Sequence, residues 1–280
     1  MTSIDQRPKP HPLSRDFVWT DADPDRPRRL SSGAIEAFNR LGFVKLEAIF
    51  RDDEIESVTR EIDPLEARGE EWLRSRGGQV SISTADVITF TTHLVVRSPY
   101  LRRFTASRLF AGLCADLVGD DVRLYWDQAV YKKPGTESPF PWHQDNGYAF
   151  VEPQQYLTCW VALTDATEEN GCPWVVPGLH RFGTLAHEYS DIGFVCLRDP
   201  TEAVPVPAAA GSIVVFSSLT PHSTGPNRTD EVRKAYIVQF APDGAEVVRA
   251  GEDGGPTERV RADDASRQYE VVRGGRPVAS

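Results

Sequence analysis

The sequence predicts a mainly β protein, a sandwich or barrel with helices packed against it, and three observations carry that expectation. From Val122 onward, short runs rich in Val, Ile, Phe, Tyr and Trp alternate with Pro and Gly turns. Before Val122, apolar residues recur every three or four positions, the period of amphipathic helices. The chain of 280 residues, 40% apolar and 26% charged, is long enough to bury a full core in one large domain, with or without a helical appendage.

Residues 1–30 are rich in Pro, Arg and Asp without an apolar period, and read as an extended arm or partly disordered leader whose charges are solvated. Ser31 or Ser32 caps a short helix through Arg40, and Gly42 turns the chain into a strand, Phe43 to Leu46. A second helix starts near Asp52, where Ile55, Val58, Ile62 and Leu65 form one apolar stripe and Asp52, Asp53 and Glu54 suit the helix N-terminus. Pro64 ends or kinks it, the charged stretch 66–78 reads as a loop, and 80–96 reads as extended. Ser98-Pro99 opens a helix whose stripe of Leu101, Phe104, Leu109, Leu113 and Leu117 runs to Val118. Strands follow near 122–132, 140–149, 156–165, 172–176, 212–217 and 233–241. The long connection 179–201 has no steady period, which marks it as a lid or pocket wall. After Asp243 the tail is Gly-rich and charged, with an edge strand at 268–272.

The chemistry centres on Trp142-His143-Gln144-Asp145-Asn146-Gly147-Tyr148. In an extended segment residues i and i+2 point the same way, so His143 and Asp145 reach a common point. One imidazole and one carboxylate are two thirds of the facial triad that holds non-haem Fe(II) and leaves positions open. His222, just after an apolar strand, offers the second imidazole. Histidine and aspartate also fall two apart by chance, so this spacing alone fits a solvated surface pair too. Among the other histidines, His93 reads as a polar strand residue, His180 as structural, and His187 and His11 as solvated; Gln144, Asn146 and Tyr148 flank the site and line a pocket.

The net charge of −10 argues against nucleic acid and anionic membranes, which require a basic face. No apolar run approaches the ~18 residues of a membrane span, and the polar start has no signal-peptide core, so a cytoplasmic protein is expected. Cys114, Cys159, Cys172 and Cys196 share no CxxC spacing and read as reduced and mostly buried.

Taken in order, Trp142-His143-Gln144-Asp145, Cys159-Trp160-Val161-Ala162-Leu163, Asn170-Gly171-Cys172, Pro177-Gly178-Leu179-His180-Arg181, Gly211-Ser212-Ile213-Val214-Val215-Phe216 and the stretch from His222 to Arg233 closely resemble the phytanoyl-CoA dioxygenase family. The similarity runs from about Leu41 to Pro242. It implies a double-stranded β-helix, a cupin-like jelly roll, and a single oxygenase domain over 31–242, with helices in 31–118 on a core of 122–242 and a tail from 243. It also implies use of Fe(II), 2-oxoglutarate and O2, with His143, Asp145 and His222 as metal ligands. The far carboxylate of 2-oxoglutarate needs a forked, permanent cation, and the resemblance gives that role to Arg233, eleven residues after His222, with Thr224 as a hydroxyl donor and Trp160 as a wall.

Arg228 lies in a Gly-Pro-Asn turn and belongs at the surface or pocket mouth. On the last strand Arg233, Ala235, Ile237 and Gln239 share the narrower face, assigned to the barrel interior, while Lys234, Tyr236, Val238 and Phe240 share the other, whose bulky aromatics pack under the helices. Asp145 stands where related halogenases carry a small residue, which implies a hydroxylase-type site. The acidic composition argues against a coenzyme A thioester and for a small metabolite or natural-product intermediate, held by residues of 80–96 and 179–200. A different class of function would be a cupin-like module holding a redox-silent metal such as Zn²⁺ without 2-oxoglutarate, in which a buried cation at Arg233 has no purpose.

Overall fold

The computed structural model describes residues 8–14, 16–251 and 255–278. Its helices are α1 (Ser32–Leu41), α2 (Asp52–Ser75), α3 (Pro99–Thr105) and α4 (Arg108–Leu117). The strands up to the middle of the chain are β1 (Phe43–Leu46), β2 (Gln79–Val80), β3 (Ser83–Thr84), β4 (Ile88–Thr92), β5 (Val122–Lys132), β6 (Phe140–His143), β7 (Phe150–Glu152), β8 (Leu157–Ala162) and β9 (Pro173–Val175). Then come β10 (Glu188–Ser190), β11 (Gly193–Val195), β12 (Val204–Pro205), β13 (Ile213–Ser217), β14 (His222–Thr224) and β15 (Arg233–Pro242). The tail adds β16 (Glu246–Ala250), β17 (Pro256–Arg261), β18 (Glu270–Arg273) and β19 (Arg276–Pro277).

The jelly roll is built from two antiparallel sheets. The larger runs β1-β13-β8-β15-β5-β4-β3-β2, and the smaller β12-β9-β14-β6. Between them lies a core that joins Phe140 and Val175 of the small sheet to Trp160, Val214, Ala235 and Ile237 of the large one. The outer face of the large sheet carries Tyr236, Val238 and Phe240, and these meet Leu101, Phe110 and Leu113 of the helices in a second core. Strand β15 therefore divides its residues between the two cores by the alternation of its side chains.

Several local expectations are corrected. Helix α2 continues through Pro64 to Ser75 where a loop was expected from Glu66. Leu65 and Leu73 are buried there, and Glu66 and Glu70 are buried as ion pairs to Lys133 Nζ, each at 2.8 Å. These charges are core contacts, which a reading of local composition cannot foresee. The extended stretch 80–96 breaks into β2, β3 and β4 with left-handed turns at Ser81 and Asp86, and His93 turns the chain at φ 56° into a 3₁₀ helix, Leu94–Val96. The helix expected over 98–118 splits into α3 and α4 at Ala106 and Ser107. The strand expected over 140–149 stops at His143, and a 3₁₀ turn at Asp145–Gly147 intervenes before β7.

The arm packs against the domain: His11 N–H donates to the Thr184 carbonyl at 2.8 Å, and Arg28, Arg29 and Leu30 give their backbone N–H groups to the Asp116 carboxylate. In the tail, β18 joins the edge of β5 as expected, whereas β16 and β17 form an unforeseen ladder on β7. Its charges are cross-strand partners, Arg259 with Glu152 at 2.7 Å and with Glu246 at 3.2 Å.

Candidate active site

Strand pairing puts His222 of β14 directly opposite His143 of β6, with ring centroids 4.1 Å apart. Gln144 keeps extended geometry at φ −111°, so Asp145 projects to the same side as His143 even though it opens a 3₁₀ turn. The ligand atoms of His143, Asp145 and His222 all lie within 4.8 Å of one another, and His222 Nε2 is 3.9 Å from Asp145 Oδ1.

The hydrogen bonds behind the triad fix which atoms face inward. Nδ1 of His143 donates to the Pro141 carbonyl at 2.8 Å, and Nδ1 of His222 to the Thr220 carbonyl at 3.0 Å, leaving both Nε2 lone pairs free. Asp145 Oδ2 accepts from the Thr158 hydroxyl at 2.6 Å, leaving Oδ1 for the common point. Burial pushes His143 down to about 3 and His222 to about 4, so both imidazoles are neutral at physiological pH. Burial raises Asp145, opposed by His143 and by the Thr158 and Gln239 hydrogen bonds. Two neutral imidazoles and a hydrogen-bonded carboxylate around one point fit a divalent iron with open positions.

Arg233 is buried at the start of β15, with its side chain 1% exposed, and none of its three guanidinium nitrogens has a hydrogen-bond partner among the described residues. Its Cζ lies 5.4 Å from the Trp160 ring. Burial lowers it to about 10, so it stays a cation. A buried fork of unpaired donors matches the terminal carboxylate of 2-oxoglutarate. Thr224 lies two residues from His222 on β14. Arg228, by contrast, is exposed.

Sequence reasoning missed Lys132, the β5 residue paired with Arg233. It is buried, and its Nζ donates to Thr224 Oγ1 at 3.1 Å and to the Thr224 and Gly225 carbonyls at 3.2 and 2.5 Å. Burial and, secondarily, the Arg233 charge push it down to about 6. Lys132 thus holds the Thr224 hydroxyl in place beside Arg233. Its only trace in the sequence is a cation ending an apolar strand, which also describes an ordinary strand exit.

Other expectations shift. His187 is no solvated residue: its Nε2 accepts the Gln144 N–H at 2.9 Å, and its Nδ1 donates to the Leu185 carbonyl at 2.9 Å. His11 stacks on Phe150 at 4.8 Å. His180 is structural, buried with Nε2 against the Asn39 carbonyl. Gln144 and Asn146 do not line the pocket; both are buried in hydrogen bonds, Gln144 to the backbone of Gly183, Leu185 and Leu219, and Asn146 to the Val151 backbone and the Thr184 hydroxyl. His93 contacts Arg267 and the edge of Trp126. All four cysteines are free.

A cavity of about 740 Å³ opens from His143 and Asp145, walled by Phe90, Tyr125, Trp126, Phe140, Tyr148 and Tyr156. The stretch 80–92 contributes to it as expected, but the connection 179–201 does not; the C-terminal half of α2, with Arg68 and Trp72, takes that place. The helix reaches the cavity because it does not end at Pro64.

Comparison with known proteins identifies relatives of the whole domain. Over 219 residues, covering 75% of this chain and 80% of its relative, the chain is 26% identical to methylphosphonate hydroxylase of Gimesia maris. It is 28% identical over 225 residues to ectoine dioxygenase of Bordetella bronchiseptica, covering 71% of each. The structure of EvdO2 from Micromonospora carbonacea var. aurantiaca complexed with 2-oxoglutarate superposes with a TM-score of 0.63 at 26% identity, covering 85% of this chain and 97% of that one. The phytanoyl-CoA dioxygenase family profile matches residues 38–235, more than half of the chain, and the protein belongs to that family.

Proposed function

We infer that the protein is an Fe(II)- and 2-oxoglutarate-dependent dioxygenase that hydroxylates an unactivated C–H bond of a small metabolite or natural-product intermediate. The observation that carries this reading is Arg233, a buried cation whose three nitrogens have no hydrogen-bond partner among the described residues, in the same barrel as the His143, Asp145, His222 cluster. A module holding a redox-silent metal has no use for such a group, since an unpaired buried charge costs several kcal/mol (roughly) without a ligand. His143, Asp145 and His222 would hold the iron, and Arg233, with Thr224 positioned by Lys132, would hold the far carboxylate of 2-oxoglutarate against Trp160. When bound, iron and 2-oxoglutarate supply the oxidation of the substrate by O2, with succinate and CO2 released.

The chain's own residues orient and exclude. Thr158 and the Pro141 and Thr220 carbonyls hold the three ligand atoms inward, and Phe140, Tyr148 and Phe216 surround the imidazoles with rings that keep water away. Residues 31–242 form the single oxygenase domain of this reading, the arm and tail lying on it. The setting is the cytoplasm, with a small molecule as the partner: the composition is acidic, and no helix among the described residues is long and apolar enough to cross a membrane.

Anaerobic addition of Fe(II) and 2-oxoglutarate is expected to give a weak visible charge-transfer band, and a panel of compounds to yield one that stimulates succinate release. Absence of both would leave the redox-silent module. Because Asp145 occupies the position that chloride would need, Asp145→Ala is expected to abolish hydroxylation, and a chlorinated product from the unmodified protein would overturn the hydroxylase assignment.

A further inference from the structure

The cavity lining carries two arginines, Arg68 and Arg97, and a single carboxylate, Asp145, which belongs to the metal cluster. In a chain of net charge −10 this is a reversal of sign. The two arginines come from different elements: Arg68 from α2, and Arg97 from the residue that ends the 3₁₀ helix Leu94–Val96. Neither guanidinium has an ion pair or hydrogen bond among the described residues, although those of neighbouring arginines do. Arg74, on the same helix, pairs with Asp86 at 2.7 Å, and Arg267 pairs with Asp264 at 3.0 Å. Asp127 lies close enough to feel Arg97, but its Oδ2 accepts the Leu94 and Val95 N–H groups and the Tyr236 hydroxyl.

An unpaired exposed arginine is ordinary by itself. Two in the lining of one cavity opening from a metal cluster are not, because low-dielectric walls focus their field on whatever enters. The same lining is rich in aromatic rings, and Trp72 stands 49% exposed in it. A flat apolar surface under a pair of cations fits a ligand with the same division.

Building on the oxygenase reading, we propose that the substrate is a free organic acid: a bulky, flat apolar body placed against the aromatic wall, with one carboxylate, sulfonate or phosphonate group held at the mouth by Arg68 and Arg97. The carbon to be oxidised then lies at the end of the molecule away from its charge. Arg68 and Arg97 are specificity-determining residues, and neither takes part in holding iron or 2-oxoglutarate.

The test uses two fluorescent probes of similar shape on the full-length protein, anionic 1-anilinonaphthalene-8-sulfonate and uncharged N-phenyl-1-naphthylamine. Replacing both arginines, R68Q with R97Q, is expected to raise the dissociation constant of the anionic probe about tenfold, and to leave that of the neutral probe within about twofold. Arg60→Gln, an exposed position on the same helix outside the lining, is expected to change neither. Equal losses for both probes, or none for the anion, overturn the proposal. Displacement of the bound probe by 2-naphthoate but not by 2-naphthamide supports it, whereas displacement only by 2-naphthoyl-coenzyme A overturns the free-acid assignment. The anaerobic charge-transfer band, recorded on the same double variant, separates the two readings. A normal band without anion preference sinks this inference alone, and anion preference without any band in the unmodified protein sinks the oxygenase.

Discussion

Arg233 is a guanidinium whose three nitrogens have no hydrogen-bond partner among the described residues, inside a packed barrel, and a buried charge in that state is costly until a ligand completes it. Two opposite consequences follow for substitutions there. Arg233→Lys keeps the charge and loses the fork, so the apparent Michaelis constant for 2-oxoglutarate is expected to rise more than about tenfold, ~1.4 kcal/mol or more. Arg228→Lys, at an exposed turn, should leave it unchanged; near-normal kinetics for Arg233→Lys together with a collapse for Arg228→Lys would reverse the assignment. Arg233→Met, in contrast, removes an unpaired buried charge and also relieves Lys132 of a neighbouring cation. The ligand-free variant is therefore expected to melt at a higher temperature than the unmodified protein while failing to bind 2-oxoglutarate, a trade of function for stability. Calorimetry of the two apoproteins decides it, and a lower melting temperature would show that the arginine has a partner or packing role of its own.

At the scale of elements, the cluster depends on one short segment being held straight between two ligands. His187 fixes the backbone N–H of Gln144, and a Cβ on Gly147 would meet the His187 ring at 2.1 to 2.4 Å. Gly147→Ala is thus expected to displace the ring, free the Gln144 N–H and weaken Fe(II) binding, which a metal titration followed by the visible band reads directly; unaltered affinity would show that the turn at Asp145 holds itself. This dependence was invisible in the sequence, because His187 lies 43 residues from Gln144 in an irregular connection. What could be read was what repeats locally: the cap at Ser31, the stripe that starts α2, the alternation of β15, and the two-residue spacing of His143 and Asp145. The second half of α2 escaped because Glu66 and Glu70 find their partner in Lys133, the residue just after β5. Lys133, between Glu66 and Glu70, has its side chain only 13% exposed. Lys133→Ala leaves two buried carboxylates facing each other and is expected to cost about 3–5 kcal/mol of stability. Urea denaturation measures that loss, and one below about 1 kcal/mol would class the network with surface pairs.

For the molecule as a whole, burial of its histidines sets the response to acid. Burial is the leading cause that pushes His143 to about 3, and His180, His187 and His222 to about 4, against an ordinary value of 6.5. In the unfolded chain these four take up protons as pH falls through 6.5, whereas in the folded protein they do not until pH 4 or below. The unfolded state therefore binds more protons in that window, so their contribution to stability is full above pH 6.5 and is lost as pH falls toward 4. Three effects oppose them, the first being Asp145, which burial also raises and which therefore gains stability as pH falls. Asp127, pushed up to about 6 by burial against an ordinary 3.8, holds a proton in the folded state that the unfolded chain lacks, and so gains stability as pH falls from 6 to 3.8. Approach to the pI near 5.2 also relieves repulsion among the excess acids, a term that salt screens over ~8 Å at physiological ionic strength. Four histidines outweigh two aspartates, since each proton held by only one state contributes about 1.4 kcal/mol per pH unit. The metal-free protein in 0.15 M salt is thus expected to melt at a lower temperature at pH 5 than at pH 7. Asp127→Asn, which removes one of the opposing titrations, should make that fall steeper; a melting temperature that rises on acidification would mean that the histidines are not held neutral, and with them the imidazoles of the metal cluster.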